Sequence, residues 1–402
     1  MNNKKKKRVR GGIALSLPVA SGNGENSVGS TPGQSLPSPS ATNKAANDFY
    51  WPTNGWRSAT PESQGMDSAA IAETLEAFQD RNVQSLIIIR NGYVVAEAYN
   101  KHTQADIPQD MRSVTKSVNS ALIGIAVSEQ KINSVHRKLT DFFPEITKDP
   151  VQSTITIHHL LSMTSGLEWK DDQEESSSEM MYSDDWIEQI WKHPSIHQPG
   201  AAFNYSNGDA HLLSAVMQKA TGETLFDYAK SRLFAPLGIT DAKWNHDPQG
   251  YTIGAWALAL TLRDMAKLGL LYLKQGVWDQ TTVLPNEWIK ESLTQRAYLN
   301  YRDGTRGGYG YYWWIKALNR GRFEGDTRRY DMFYASGSGG QRIFVVPELQ
   351  LITAFTAKSS DVDMPEDLLR QIVLSVRSNR WIPESAEAAA SLEQAIQSFK
   401  SV

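Results

Sequence analysis

Two periodicities alternate along the chain. At 86–90 and 93–99, short apolar runs flank Asn91-Gly92, a dipeptide that closes two-residue turns, so the pattern predicts a β-hairpin. A second hairpin is expected from 343–346 and 351–356, joined around Pro347-Glu348. Between them helical spacing dominates. Val118, Ala121, Leu122, Ile125 and Ala126 recur on one helical face, while Ile123 and Val127 add apolar surface elsewhere, as in a helix buried nearly all round. Further helices are expected at 68–81, 210–221 and 367–376, and the tail 384–399 reads as an exposed or loosely packed helix. The sum is an α+β architecture, with an antiparallel sheet built from both chain ends and flanked by helices 68–81 and 367–376. A mostly helical region fills the middle, and the site is expected in the groove between the two. The corresponding partition is a leader and linker at 1–47, an α/β domain from 48–108 with 300–385, a helical domain at 109–299, and a helical tail at 386–402.

Composition narrows the chemistry. Cysteine is absent from the 402 residues, which excludes disulfides, thiolate metal sites and a cysteine nucleophile. The net charge of -3 hides an asymmetry, because six of the 41 basic residues and none of the 44 acids lie in the first ten positions. The remaining body is acidic, which argues against a nucleic-acid partner. No stretch approaches the roughly 18 apolar residues of a membrane span. The basic start, the short apolar run 11–20 and the Gly/Ser/Pro/Asn-rich segment to 47 read either as a weak secretory signal with a linker or as a basic disordered tail. A bacterial lipoprotein leader would be similar, except that Ser21 stands where a lipidated cysteine belongs. The location is secreted or periplasmic if 1–20 acts as a signal, and cytoplasmic otherwise.

Ser113-Val114-Thr115-Lys116 places a hydroxyl and an amine three residues apart at the start of the buried helix, where they share a face. Ser113 is either a helix N-cap or a nucleophile favoured by the positive end of the helix dipole. The same spacing recurs at Ser128 and Lys131, among polar residues of a solvated helix end, and is read as structural there. Tyr205-Ser206-Asn207, between Pro199-Gly200 and the helix 210–221, supplies a phenol that can relay a proton and a carboxamide that can orient a lysine. Tyr298-Leu299-Asn300 repeats that pattern in a stretch of loop character. Ala335-Ser336-Gly337-Ser338-Gly339-Gly340-Gln341 precedes the strand 343–346, and reads either as a substrate-lining backbone or as a flexible hairpin loop.

Serine-lysine, tyrosine-asparagine and a small-residue strand edge, in that order, resemble the serine β-lactamase and penicillin-binding-protein superfamily. The stretches 156–167, 233–239 and 262–269 are similar to family segments as well, and the resemblance runs from about Trp56 to Arg380. Within it the chain looks nearest to class-C-like carboxylesterases and 6-aminohexanoate-oligomer hydrolases. The resemblance implies a β-lactamase/transpeptidase-like fold, with Ser113 as nucleophile, Lys116 as its base, Tyr205 as proton relay and Asn207 steadying lysine and substrate. By the same alignment the backbone amides of Ser113 and Ser338 form an oxyanion hole, and Ser336 and Gly337 hold the third motif. Ala335 departs from the lysine that penicillin-recognising members carry, so an ester or a small linear amide is the expected substrate ahead of a β-lactam or a D-Ala-D-Ala peptide. A penicillin-binding sensor without turnover is the expectation from another class. No cofactor is implied.

That mechanism requires Lys116 to be partly neutral, and burial would have to lower its pKa from about 10.4. Trp169, Asp171, Tyr182 and Trp186 lie in an irregular insertion before the second motif, read either as pocket walls or as a solvated loop with Trp anchors. His193 and His197 have the spacing of a helical metal pair, but Pro194 interrupts the helix, so no metal is expected, and His158-His159 reads as packing or capping. The chain has neither H-E-x-x-H nor G-x-S-x-G, which argues against a zinc peptidase and an α/β-hydrolase.

Overall fold

The hairpin predicted around Asn91-Gly92 begins the central sheet. Strands β1 (Val83–Arg90) and β2 (Tyr93–Tyr99) pair antiparallel across the turn, where Asn91 and Gly92 both take positive φ, 53° and 87°. The protein is seen in a computed structural model that describes residues 49–171, 175–301, 304–319 and 328–401; the basic leader lies outside these residues. The sheet continues with β3 (Ala297–Asn300), β4 (Arg306–Tyr309), β5 (Trp314–Asn319), β6 (Arg329–Gly337), β7 (Gln341–Val346) and β8 (Leu351–Ala357). Their spatial order is β2-β1-β8-β7-β6-β5-β4-β3, with every neighbouring pair antiparallel. Pairing of β1 with β8 joins the two ends of the chain in one sheet, as the two hairpin signals implied.

Helices cover both faces. The longest are α1 (Ser68–Phe78), α2 (Thr115–Ser128), α3 (Asn207–Thr221), α4 (Leu262–Leu273), α5 (Met364–Ser375) and α6 (Ala386–Phe399); α1, α5 and α6 pack on one face of the sheet and α4 on the other, while α2 and α3 belong to the central region. Strand side chains alternate, so β1 sends Leu86 and Ile88 into a core with α1, α5 and α6, while Ile87 and Ile89 are buried on the opposite face. Likewise β7 puts Phe344 and Val346 in that first core, whereas Ile343 and Val345 meet α4 at Gly269. Burial on both faces explains why these strands read as continuous apolar runs rather than as alternation.

Two expectations change. The C-terminal helix is firmly docked: α6 packs against α1 and β2, and Phe399 is 1% exposed. Leu392, Ala395, Ile396 and Phe399 form one apolar stripe, but the Ala, Glu and Ser around them dilute it in the sequence. The stretch around Tyr298, read as loop, is the sheet's edge strand β3, in which Ala297 and Leu299 turn inward while Tyr298 and Asn300 face outward. In the central region α2 is buried from Thr115 to Ala126 and packs on α3, which sets the starts of both helices side by side.

Candidate active site

Ser113 lies in a 3-10 turn, Arg112–Val114, that runs directly into α2, so the helical spacing anticipated for the pair is realised. Lys116 Nζ donates to Ser113 Oγ at 3.0 Å. The capping alternative for Ser113 falls away, because no side chain caps α2. Ser113 is partly accessible, whereas Lys116 is 1% exposed and spends its other donors on Asn207 Oδ1, at 2.6 Å, and the Ala255 carbonyl, at 3.0 Å. Burial pushes the Lys116 amine down from its ordinary 10.5 to about 7, with the charge of Asp171 acting in the opposite direction.

The second motif comes from the start of α3. Ser206 is its N-cap, accepting from Asp209 N, and the helix begins at Asn207, earlier than its hydrophobic pattern indicated. Tyr205, just before the cap, stands beside the pair, with its ring centroid 4.8 Å from Lys116 Nζ. Burial raises the phenol well above its usual pKa, against the opposing influence of the nearby Ser113 hydroxyl and of the charge of Arg342, so it holds its proton at neutral pH. Trp314 of β5 stacks on it at 6.0 Å.

The third motif lies beside the turn that carries Ser113. Ser336 and Gly337 end β6, and Ser338 opens the tight turn into β7. A Cβ at Gly337 would stand 2.6 Å from the Met111 carbonyl oxygen and 3.0 Å from Arg112 Cβ. Only glycine lets the end of β6 lie this close to the turn that carries Ser113. Directly across from Ser336 in the register is Arg342, whose Nη1 donates to the Gly337 and Gln341 carbonyls at 2.8 Å each. Sequence reasoning missed this cation because it sits on the neighbouring strand; the short turn Ser338–Gly340, which fixes the register, was the available signal.

The insertion contributes unevenly. Asp171 accepts from Asn207 Nδ2 at 2.7 Å, from Ser177 Oγ at 2.7 Å and from Trp169 Nε1 at 3.2 Å. Trp169 is buried against Gly208, where a Cβ would come within 2.4 Å of its ring. Trp186 packs instead on His211 and Trp256, and Tyr182 is 91% exposed. Ser177 and the Ala255 carbonyl went unread, since neither carries a pattern.

The repeated motifs lie elsewhere: Ser128 Oγ bonds the Ile125 carbonyl, and Tyr298 faces solvent on β3. His159 completes a capping box with Thr156, and His158 Nδ1 meets the Tyr311 hydroxyl at 2.6 Å. Among the described residues, no helix is long and apolar enough to cross a membrane.

Comparison with known proteins adds to this geometry. A family model described as Beta-lactamase matches residues 71–384. The chain is 22% identical to a 6-aminohexanoate-dimer hydrolase of Paenarthrobacter ureafaciens over 293 residues, covering 66% of this chain and 74% of that one. It is 25% identical to esterase EstB of Burkholderia gladioli over 227 residues, covering 49% and 57%. Among solved structures, a family VIII carboxylesterase superposes with a TM-score of 0.61 at 14% identity, covering 80% of this chain and 98% of that one, which is likeness of fold. With the model spanning most of the described body and the fold shared, the chain belongs to the beta-lactamase family of hydrolases.

Proposed function

We propose that this protein is a serine hydrolase that acylates itself at Ser113, acting first on carboxylic esters and second on small linear amides. The observation that carries the reading is the buried Lys116 amine 3.0 Å from Ser113 Oγ, with its pKa lowered to about 7. Lys116 takes the Ser113 proton as Oγ attacks the substrate carbonyl carbon, and the tetrahedral oxyanion is met by the backbone amides of Ser113 and Ser338. Such a donor is worth on the order of 10²–10³-fold in rate. Tyr205, held protonated, donates to the departing alkoxide or amine. Water then attacks the acyl-enzyme carbonyl, its proton leaving through the same groups, and Ser113 is released by the reverse transfer.

Ala335, at the place of the lysine in penicillin-recognising relatives, speaks against a β-lactam, while the activity named for the esterase favours esters and that named for the aminohexanoate-dimer hydrolase favours linear amides. A β-lactamase or D-Ala-D-Ala carboxypeptidase is the second reading, and Arg342 speaks for it by returning a positive charge to the third-motif face. Parallel assays on p-nitrophenyl butyrate and nitrocefin decide. Ester turnover well above nitrocefin turnover is expected; rapid nitrocefin hydrolysis without esterase activity would reverse the ranking, and a persistent Ser113 adduct without turnover would indicate a penicillin-binding sensor.

A further inference from the structure

We infer that Asp171 is a positioning residue for the acylating pair: its carboxylate locks the Asn207 carboxamide with the oxygen toward Lys116, and so keeps the lysine on Ser113. The inference rests on the Ser113–Lys116 reading above and goes beyond it, because Asp171 touches neither of those residues.

The two ends of a carboxamide are nearly isosteric, so something must select which one faces the lysine. As an ammonium Lys116 can only donate to Asn207, and as a neutral amine it has a single lone pair, which the Ser113 hydroxyl occupies; a carboxylate can only accept from Asn207. With Asp171 on the far side, Asn207 Oδ1 receives Lys116 Nζ at 2.6 Å and Nδ2 donates to Asp171 Oδ1 at 2.7 Å. A flipped amide would oppose its oxygen to the carboxylate and its NH₂ to the amine, two mismatches at once. Ser177 closes the arrangement, accepting from Asn207 Nδ2 at 2.9 Å while donating to Asp171 Oδ1 at 2.7 Å. The Trp169 indole donates to the same oxygen at 3.2 Å, and its ring is seated on Gly208, one residue past Asn207. The insertion is thereby fastened to the start of α3 by packing, and to the lysine by a directed chain of hydrogen bonds.

Charge adds a second consequence. Facing Lys116 are Ser113 on its own turn, Tyr205 and Asn207 at the start of α3, the Ala255 carbonyl from the 245–255 loop and, through Asn207, Asp171 from the insertion; Arg342 of β7 acts on Tyr205. Asp171 opposes the loss of the lysine proton that burial promotes. Replacing it by the neutral amide of asparagine therefore makes Lys116 easier to deprotonate and, because that amide can donate as well as accept, no longer forbids the flipped orientation of Asn207.

Asp171→Asn separates these effects. On p-nitrophenyl butyrate, the acid limb of kcat/KM is expected to move down by about one pH unit, and plateau kcat to fall about 10- to 100-fold. Loss of packing alone would not move the limb, and Asp171→Glu should return it toward the wild-type position. Ser177→Ala keeps the carboxylate, so it should lower kcat without displacing the limb; it also tests the amide lock should Asp171→Asn fail to fold. A folded Asp171→Asn enzyme with the wild-type limb and kcat, or Ser177→Ala with wild-type kcat, would overturn the inference while leaving Ser113 as nucleophile. Acylation mapped to a residue other than Ser113 in the wild type would overturn both readings.

Discussion

At the scale of single residues, the account turns on the protonation of Lys116. The lysine is useful as a base only when neutral, and burial lowers its pKa to about 7. Ester hydrolysis should therefore fall as pH drops below about 7, by tenfold per unit, and level off above it, whereas an unshifted lysine would place the limb near pH 10.4. A kcat/KM profile of the wild type between pH 5 and 10.5 distinguishes the two, provided it is recorded over the range in which the enzyme stays folded. Tyr205 titrates in the opposite sense: burial holds its proton well above the working range, so it contributes no descending limb near neutrality. This scale was partly legible. Ser113, Lys116, Tyr205 and Asn207 were expected at one place from their spacing and from a resemblance, and distances of 3.0 Å and 2.6 Å along Ser113–Lys116–Asn207 bring three of them together, with the Tyr205 ring 4.8 Å from Lys116 Nζ. Arg342 was invisible because only strand register sets it opposite Ser336.

Among the elements, those with strong local patterns were readable and those held by long-range contacts were not. Asn91-Gly92 fixed a hairpin by itself, and the apolar run after Ser113 announced a buried helix. By contrast, β4 has two glycines among its four residues and β3 alternates over only four, so neither rises above loop-like text until its neighbour pairs with it. The C-terminal helix belongs to the same class. Its stripe is sparse, and its burial is decided by α1 on the far side of the sequence. Phe399→Ala tests that docking: removing a fully buried ring should destabilise the protein by about 3 kcal/mol, read as a lower urea midpoint with an unchanged m-value. A midpoint within error of the wild type would mean that α6 is not held by this ring.

For the molecule as a whole, the sheet is what makes a site out of distant text. Ser113, Asp171, Asn207, Ala255 and Ser336 come from separate stretches, and they meet because β1 beside β8 draws the chain ends together while α2 and α3 pack side by side. Residues 51–402 form one compact unit, and we propose that its sheet and its central helices act as the two walls of the site. The claim on which the rest depends is that a neutral Lys116 activates Ser113. The most direct measurement is the rate of fluorophosphonate labelling as a function of pH, with peptide mapping of the modified residue, in wild type and in Lys116→Ala. The account predicts a single adduct on Ser113, forming with a midpoint near pH 7 and nearly abolished in a folded Lys116→Ala; an adduct elsewhere, or wild-type labelling rates without the lysine, would contradict it.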